Sequence, residues 1–513
     1  MDSKDVRCCG VLLHPTSLYS PYGIGDLGPA CYDFIDALYN AEVRLWQILP
    51  LGPTGYGNSP YSARSAFAGN ELLLSPILLV ENGYLAEKDL SSSPRFPSSK
   101  IDFDAVKQWK IPLLKKAANN FLSKSQEKQQ FTSFCQENQY WLDDYALFMV
   151  LYEKYQDARW SSCWDRDVAK REKKTIARIS MEKKQEILEW KTLQFFFDQQ
   201  WKQVKRYANA RDIKIIGDIP IFVAADSVDT WSNLSLFKTD KEGHYTEVSG
   251  VPPDNFCTTG QLWGNPVYDW KAMRKSSYSW WIRRLERLRH QTDIIRIDHF
   301  RGFESYWSVP AKDTTAEHGV WVKAPGHEFF HEVRKQLGDV DILAEDLGFV
   351  TKEVEQLRDE NNFPGMRIAQ FGFNLSDKGI LDSLDTFLPH NYQYNCVAYT
   401  GTHDNETTQG WFDHQSPEGK KAICSYLACT SENVVWSLIR AIMASHAHYA
   451  IFPLQDILGL GNQARMNTPS TCSRENWSWQ LEEKTQLRDP LEKLRELVLL
   501  YGRFGSNGDS RHS

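Results

Sequence analysis

The chain has 513 residues with 59 Lys+Arg against 66 Asp+Glu, a net charge of −7, and 42% hydrophobic side chains. That length holds one large barrel with insertions or two to three ordinary domains, and the acidic balance argues against a nucleic-acid or anionic-membrane partner. Ten cysteines without a C-x-x-C pair exclude a zinc ribbon and a small disulfide scaffold; the start has no signal-peptide pattern and no apolar run is of membrane length, so reduced thiols in the cytoplasm are expected.

In chain order, residues 10–13 form a short apolar run, followed by a turn-rich loop, the helix-like ACYDFIDALYNA and a second strand at 43–49. A β-α-β start of this kind is the repeat unit of a parallel α/β fold. The next stretch is rich in Gly, Pro and Ser and carries Tyr61, whose ring could stack on a ligand or pack its own loop. From about 75 to 210 the periodicity is helical, with aromatic faces in WLDDYALFMVLYEKY and EILEWKTLQFFFDQQWKQVKRYA, as expected of an insertion beside a barrel. Strand returns at 213–218 and ends on Asp218. A loop insertion at about 219–280 then presents Asp254, Gln261, Trp263 and Asn265.

Residues 294–303 read IIRIDHFRGF. In a strand, Arg296 and Asp298 share one face and the isoleucines the other, and a neighbouring Arg favours the ionised carboxylate that a nucleophile needs. A structural ion pair is the alternative. The run at 341–346 reaches Glu345, 366–371 is a further strand, 396–400 spills into His403 and Asp404, and 449–453 is the last strand. Eight strands separated by helical spans, with acids at several C-terminal ends, predict a (β/α)₈ barrel. One catalytic barrel over 1–501 and a disordered tail over 502–513 are expected.

Two close carboxylates at strand ends suit retaining glycoside chemistry, with roughly 5 Å between nucleophile and acid/base. The motifs RIDHFRGF, ILAEDLG and GTHDNETTQGW, with WQILPLGPTGYGNSPYSARSAFAGN, PPDNFCTTGQLWGNPVYDW and PLQDILGLGNQARMN, resemble glycoside hydrolase family 77, the amylomaltases. The resemblance runs from about Gly10 to Trp479. It implies a barrel that transfers a piece of α-1,4-glucan from a donor to an acceptor glucan, with no cofactor. It also implies Asp298 as nucleophile beside Arg296, Glu345 as general acid/base, and Asp404 with His403 gripping the reacting glucose. Tyr61, Asp254, Gln261, Trp263 and Asn467 match sugar-binding positions, and Asp218 a supporting acid. The chain departs from the family at Ser470 and Glu475, where Gly is more usual, which bears on the shape of the last barrel loop.

His327-Glu328-x-x-His331 fits a zinc-helix motif, but Arg334 stands where its extended form needs Gly, and the run lies in a helix between strands. Gly459-Leu460-Gly461 mimics a dinucleotide fingerprint with no βαβ unit after it. Three functions remain: a glucanotransferase, an α-1,4-glucan hydrolase on the same barrel, and a catalytically silent glucan binder. Residues 252–260 are expected to act as a lid that excludes water.

Overall fold

A computed structural model describes residues 6–124, 128–253, 258–376, 379–483 and 485–505. Twelve strands occur among them: β1 (Cys8–Leu12), β2 (Leu45–Gln47), β3 (Lys214–Pro220), β4 (Glu247–Val251), β5 (Gln261–Pro266), β6 (Ile294–Asp298), β7 (Ser305–Pro310), β8 (Val320–Lys323), β9 (Ile342–Ala344), β10 (Gly365–Ile368), β11 (Cys396–Tyr399) and β12 (Tyr449–Pro453). Eight of them close a parallel barrel in the order β1-β12-β11-β10-β9-β6-β3-β2. These are the eight segments the sequence marks as strand, although 366–371 leaves strand geometry after Ile368 and turns into a 3-10 helix.

Short β-branched and aromatic runs make the barrel because both faces are covered, one by outer helices and one by the packed interior. Interior positions are polar near the mouth. Tyr399 on β11 donates to Gln47 on β2 at 2.8 Å, a bond that crosses the barrel because those strands are not neighbours. The helical insertion is anchored to the barrel by its last helix, Lys184–Asn209, which packs on Phe103–Ser123 and Gln139–Tyr155. Within this helix, buried Gln194 exchanges two bonds with the backbone of Gly69, each 2.8 Å, and Gln200 accepts from Ser75 N–H at 2.8 Å. The insertion therefore clamps the far end of the loop that carries Tyr61.

Two expectations need correction. The insertion at 219–280 is not merely loop: β4 and β5 pair antiparallel and join β7 and β8 in a four-stranded sheet of order β5-β4-β7-β8. The span between β6 and β9 is accordingly a hairpin plus a helix. Gly260 opens β5 at φ +66°, where an added Cβ would lie 2.4 Å from the Val251 carbonyl oxygen, so the tight β4–β5 approach requires glycine. The expected disorder from Gly502 does not hold for 502–505. Arg503 is fully buried and donates to the carbonyls of Met443, Ala447 and Ser445 at 2.8–3.0 Å, because those carbonyls at a helix end and the following turn need donors. Residues 506–513 lie outside the described residues.

Candidate active site

β6 presents Arg296 and Asp298 on one face, and Asp218 on β3 stands opposite Arg296 in the parallel register. The Arg296 guanidinium donates to Asp218 Oδ2 at 2.6 Å through Nη1 and to Asp298 Oδ1 at 3.2 Å through Nη2. The Tyr61 hydroxyl donates to the same Asp218 oxygen at 2.7 Å. Asp218 has no exposed side-chain surface, so it lies beneath the site and orients Arg296 and Tyr61.

Glu345 follows β9. Its amide donates to Ile297 O at 3.0 Å, its carbonyl accepts from Phe300 N–H at 3.1 Å, and its carboxylate oxygens accept from His299 N–H at 2.7 Å and Leu347 N–H at 2.9 Å. Three of these four bonds fix Glu345 against the strand end that carries Asp298. Burial pushes the Glu345 carboxyl up to about 7, and the charge of Asp298 adds to this against the pull of Arg296 and the two amides. Asp298 is pushed up to about 6, again by burial first, with Arg296 opposing. The sequence expectation that Arg296 alone settles Asp298 as a carboxylate is therefore modified. Arg296 divides its charge with Asp218, and burial outweighs what is left.

Asp404 lies in the loop after β11. Asn467 Nδ2 donates to its Oδ1 at 2.6 Å, Arg465 Nη2 donates to its backbone oxygen at 2.8 Å, and His403 Nε2 is 3.4 Å from its Oδ2. Burial pulls His403 down, so it is neutral. Its ring stacks on Tyr61 at 5.1 Å and 13°, and Trp477 packs at 5.8 Å from Tyr61.

These groups surround a groove of about 1720 Å³ at the C-terminal mouth of the barrel. Asp298, Glu345, Asp404, Arg296, Tyr61, Gln261, Trp263 and Asn467 line it, whereas Asp218 and His403 lie behind it. The expectation that His403 faces the sugar directly is thereby modified: its side chain is 4% exposed and its contact is with Asp404. Asp254 lies outside the described residues, as does the middle of the expected lid, 254–257.

Sequence reasoning missed three contributors. His299 lines the groove with its ring edge-on to Trp263 at 4.7 Å and 81°, and burial pushes it down to about 3. Its position immediately after a strand-end acid was the available signal. Trp477 belongs to a loop without periodicity, and the 347–350 turn with Phe371 and Phe387 forms a wall that no motif marks. In the zinc-like motif, Glu328 bonds Arg274 at 2.7 Å and Tyr278 at 2.8 Å, and His327 pairs with Glu360 at 2.9 Å.

Two buried carboxyl groups at adjacent strand ends of a (β/α)₈ barrel, in a groove walled by aromatics, are the arrangement of a glycoside-processing enzyme. The 4-alpha-glucanotransferase family model of glycosyl hydrolase 77 matches residues 13–486, and the chain belongs to that family. A 4-alpha-glucanotransferase of Synechocystis is 49% identical over 97% of this chain and 98% of its own, and one of Thermus thermophilus is 45% identical over 93% and 95%. The solved amylomaltase of Streptococcus agalactiae in complex with acarbose superposes with a TM-score of 0.92 at 36% identity, covering 98% of this chain and all of that one.

Proposed function

We propose that Asp298 is the nucleophile and Glu345 the general acid/base of α-1,4-glucan transfer. Asp298 attacks the anomeric carbon of the donor as the C1–O4 bond breaks, and the Glu345 proton goes to the departing O4. The 4-hydroxyl of an acceptor glucan or glucose then gives its proton to Glu345 and attacks C1, which releases Asp298. The Arg296 charge steadies Asp298 as the leaving carboxylate of the second step. Asp404, held by Asn467 and next to His403, accepts from hydroxyls of the reacting ring and grips harder as the ring flattens. Maltooligosaccharides and longer glucans are the donors, and Trp263 and Gln261 on β5, which line the groove, bind sugar. All nine described cysteines are free, which supports a cytoplasmic location.

The observation that carries this reading is the placement of Asp298 and Glu345 at the ends of neighbouring barrel strands, Asp298 held by Arg296 and Glu345 by the His299 amide. Maltotriose as sole substrate tests it. The wild type should give glucose together with longer oligosaccharides and no net gain in reducing ends, while Asp298→Asn should lose about 10³-fold or more in turnover. Rising reducing ends with only shorter products would assign a hydrolase, and a fully active Asp298→Asn would remove Asp298 from the mechanism.

A further inference from the structure

His403 offers only one of its ring nitrogens to the site. Nε2 faces Asp404, while Nδ1 is buried and has no protein partner. A buried polar nitrogen without a partner is costly, so such an atom asks for a donor or acceptor nearby. His403, His14, Ser17, Gln455 and Met466 are among the walls of a small cavity of about 30 Å³. That volume holds one water, given polar partners. His14 sits in the turn directly after β1 and is itself buried. Its Nδ1 accepts the Leu49 amide at 3.3 Å, so in the neutral ring the proton resides on Nε2. Burial pushes His14 down to about 3 and keeps it neutral.

We propose that His14 is a positioning residue for the reaction: through one water in this cavity it fixes His403 with its proton on Nε2, the nitrogen that faces Asp404. The water accepts from His14 Nε2–H and donates to His403 Nδ1. His403 Nε2–H is then on the side of Asp404, whose Oδ2 lies 3.4 Å away. With the opposite tautomer a lone pair would face the carboxylate, and the two would repel. Orientation of a functional imidazole through its second nitrogen is a general device. The inference rests on the proposed role of Asp404, and no proton moves during turnover.

Two substitutions separate this role from a structural one. His14→Asn keeps an acceptor where Nδ1 meets the Leu49 amide but has no group at Nε2. His14→Gln keeps a donor near Nε2 but abandons Leu49. In the full-length enzyme, His14→Asn should lower kcat for maltotriose disproportionation about 10-fold with KM and Tm little changed. His14→Gln should lower Tm and keep kcat within a few-fold. Nitrogen-15 shifts of the His403 ring, assigned with His403→Gln, read the tautomer directly. The wild type should show the proton on Nε2, and His14→Asn should lose that preference. A wild-type His403 protonated on Nδ1 overturns the proposal even if both variants fail to fold, as does an equal fall of kcat in the two variants. Asp298→Asn as a parallel control keeps the outcomes apart. An inactive control with unchanged His14→Asn turnover rejects this inference alone, and an active control rejects the site assignment beneath it.

Discussion

Tyr61 lies flat against His403, ring centroids 5.1 Å apart and planes 13° from parallel. Its hydroxyl reaches Asp218 on the floor of the site, so a loop residue links the Asp404 side to the Arg296 side. Tyr61→Phe keeps the stack and drops the bond to Asp218, and should lower kcat about 10-fold, the worth of a hydrogen bond to a charged group. Tyr61→Leu loses both and should also raise KM. Steady-state disproportionation of maltotriose by the two variants checks this.

The rate requires Asp298 ionised and Glu345 protonated. With the pair pushed up to about 6 and about 7, kcat/KM should be bell-shaped with its maximum between the two limbs. Arg296 opposes the rise of Asp298, so Arg296→Gln should move the acid limb to higher pH and lower the maximum. An acid limb that stays in place would mean that Arg296 is not the charge partner.

Holding these acids in the groove weakens the fold. A carboxyl whose folded value lies above its unfolded value binds the extra proton only in the folded state, so its stability contribution is present at low pH and falls as pH rises through the folded value. For Glu345 that window runs from about 4.5 to about 7. Glu345→Gln should therefore be more stable than the wild type by about 1–2 kcal/mol at pH 8, discounted for the open groove, and should lose that advantage near pH 4. Thermal melts at the two pH values decide it.

Ser470 has φ +61°, in the left-handed region that favours glycine. Its loop is held on its C-terminal side by residues 100 and 101: Glu475 pairs with Lys100, and Ile101 N–H donates to Ser478 O at 2.7 Å. Ser470 thus carries a backbone strain and Glu475 an ion pair. Ser470→Gly should relieve about 0.5–1 kcal/mol, read as a rise in Tm. A fall in Tm would show that the serine side chain matters more than its backbone.

The eight barrel strands were legible because each is a short β-branched or aromatic run, several of them ended by an acid. Strand ends in such a barrel are where carboxylates gather, so Asp298, Glu345 and Asp404 were legible for the same reason. The second sheet was not. β4 and β7 pair antiparallel across some sixty residues, and strands such as β4, with Ser249 and Gly250, carry little of the usual strand signal. Nor could the sequence reveal that Asp218 and Tyr61 meet, because that needs the register of β3 on β6 and the fold of a distant loop. Trp477 enters through a segment with no pattern to read.

The barrel closes by pairing β1 with β12, from Cys8 against Tyr449 to Leu12 against Pro453. During synthesis the first strand must therefore wait for the last, which at about 5–20 residues per second is roughly half a minute or longer. Until then the growing sheet has two open edges, the arrangement most prone to pairing with other chains. The helical insertion, whose contacts are more local, can fold within that interval, so the nascent chain acquires its flank before its core is sealed.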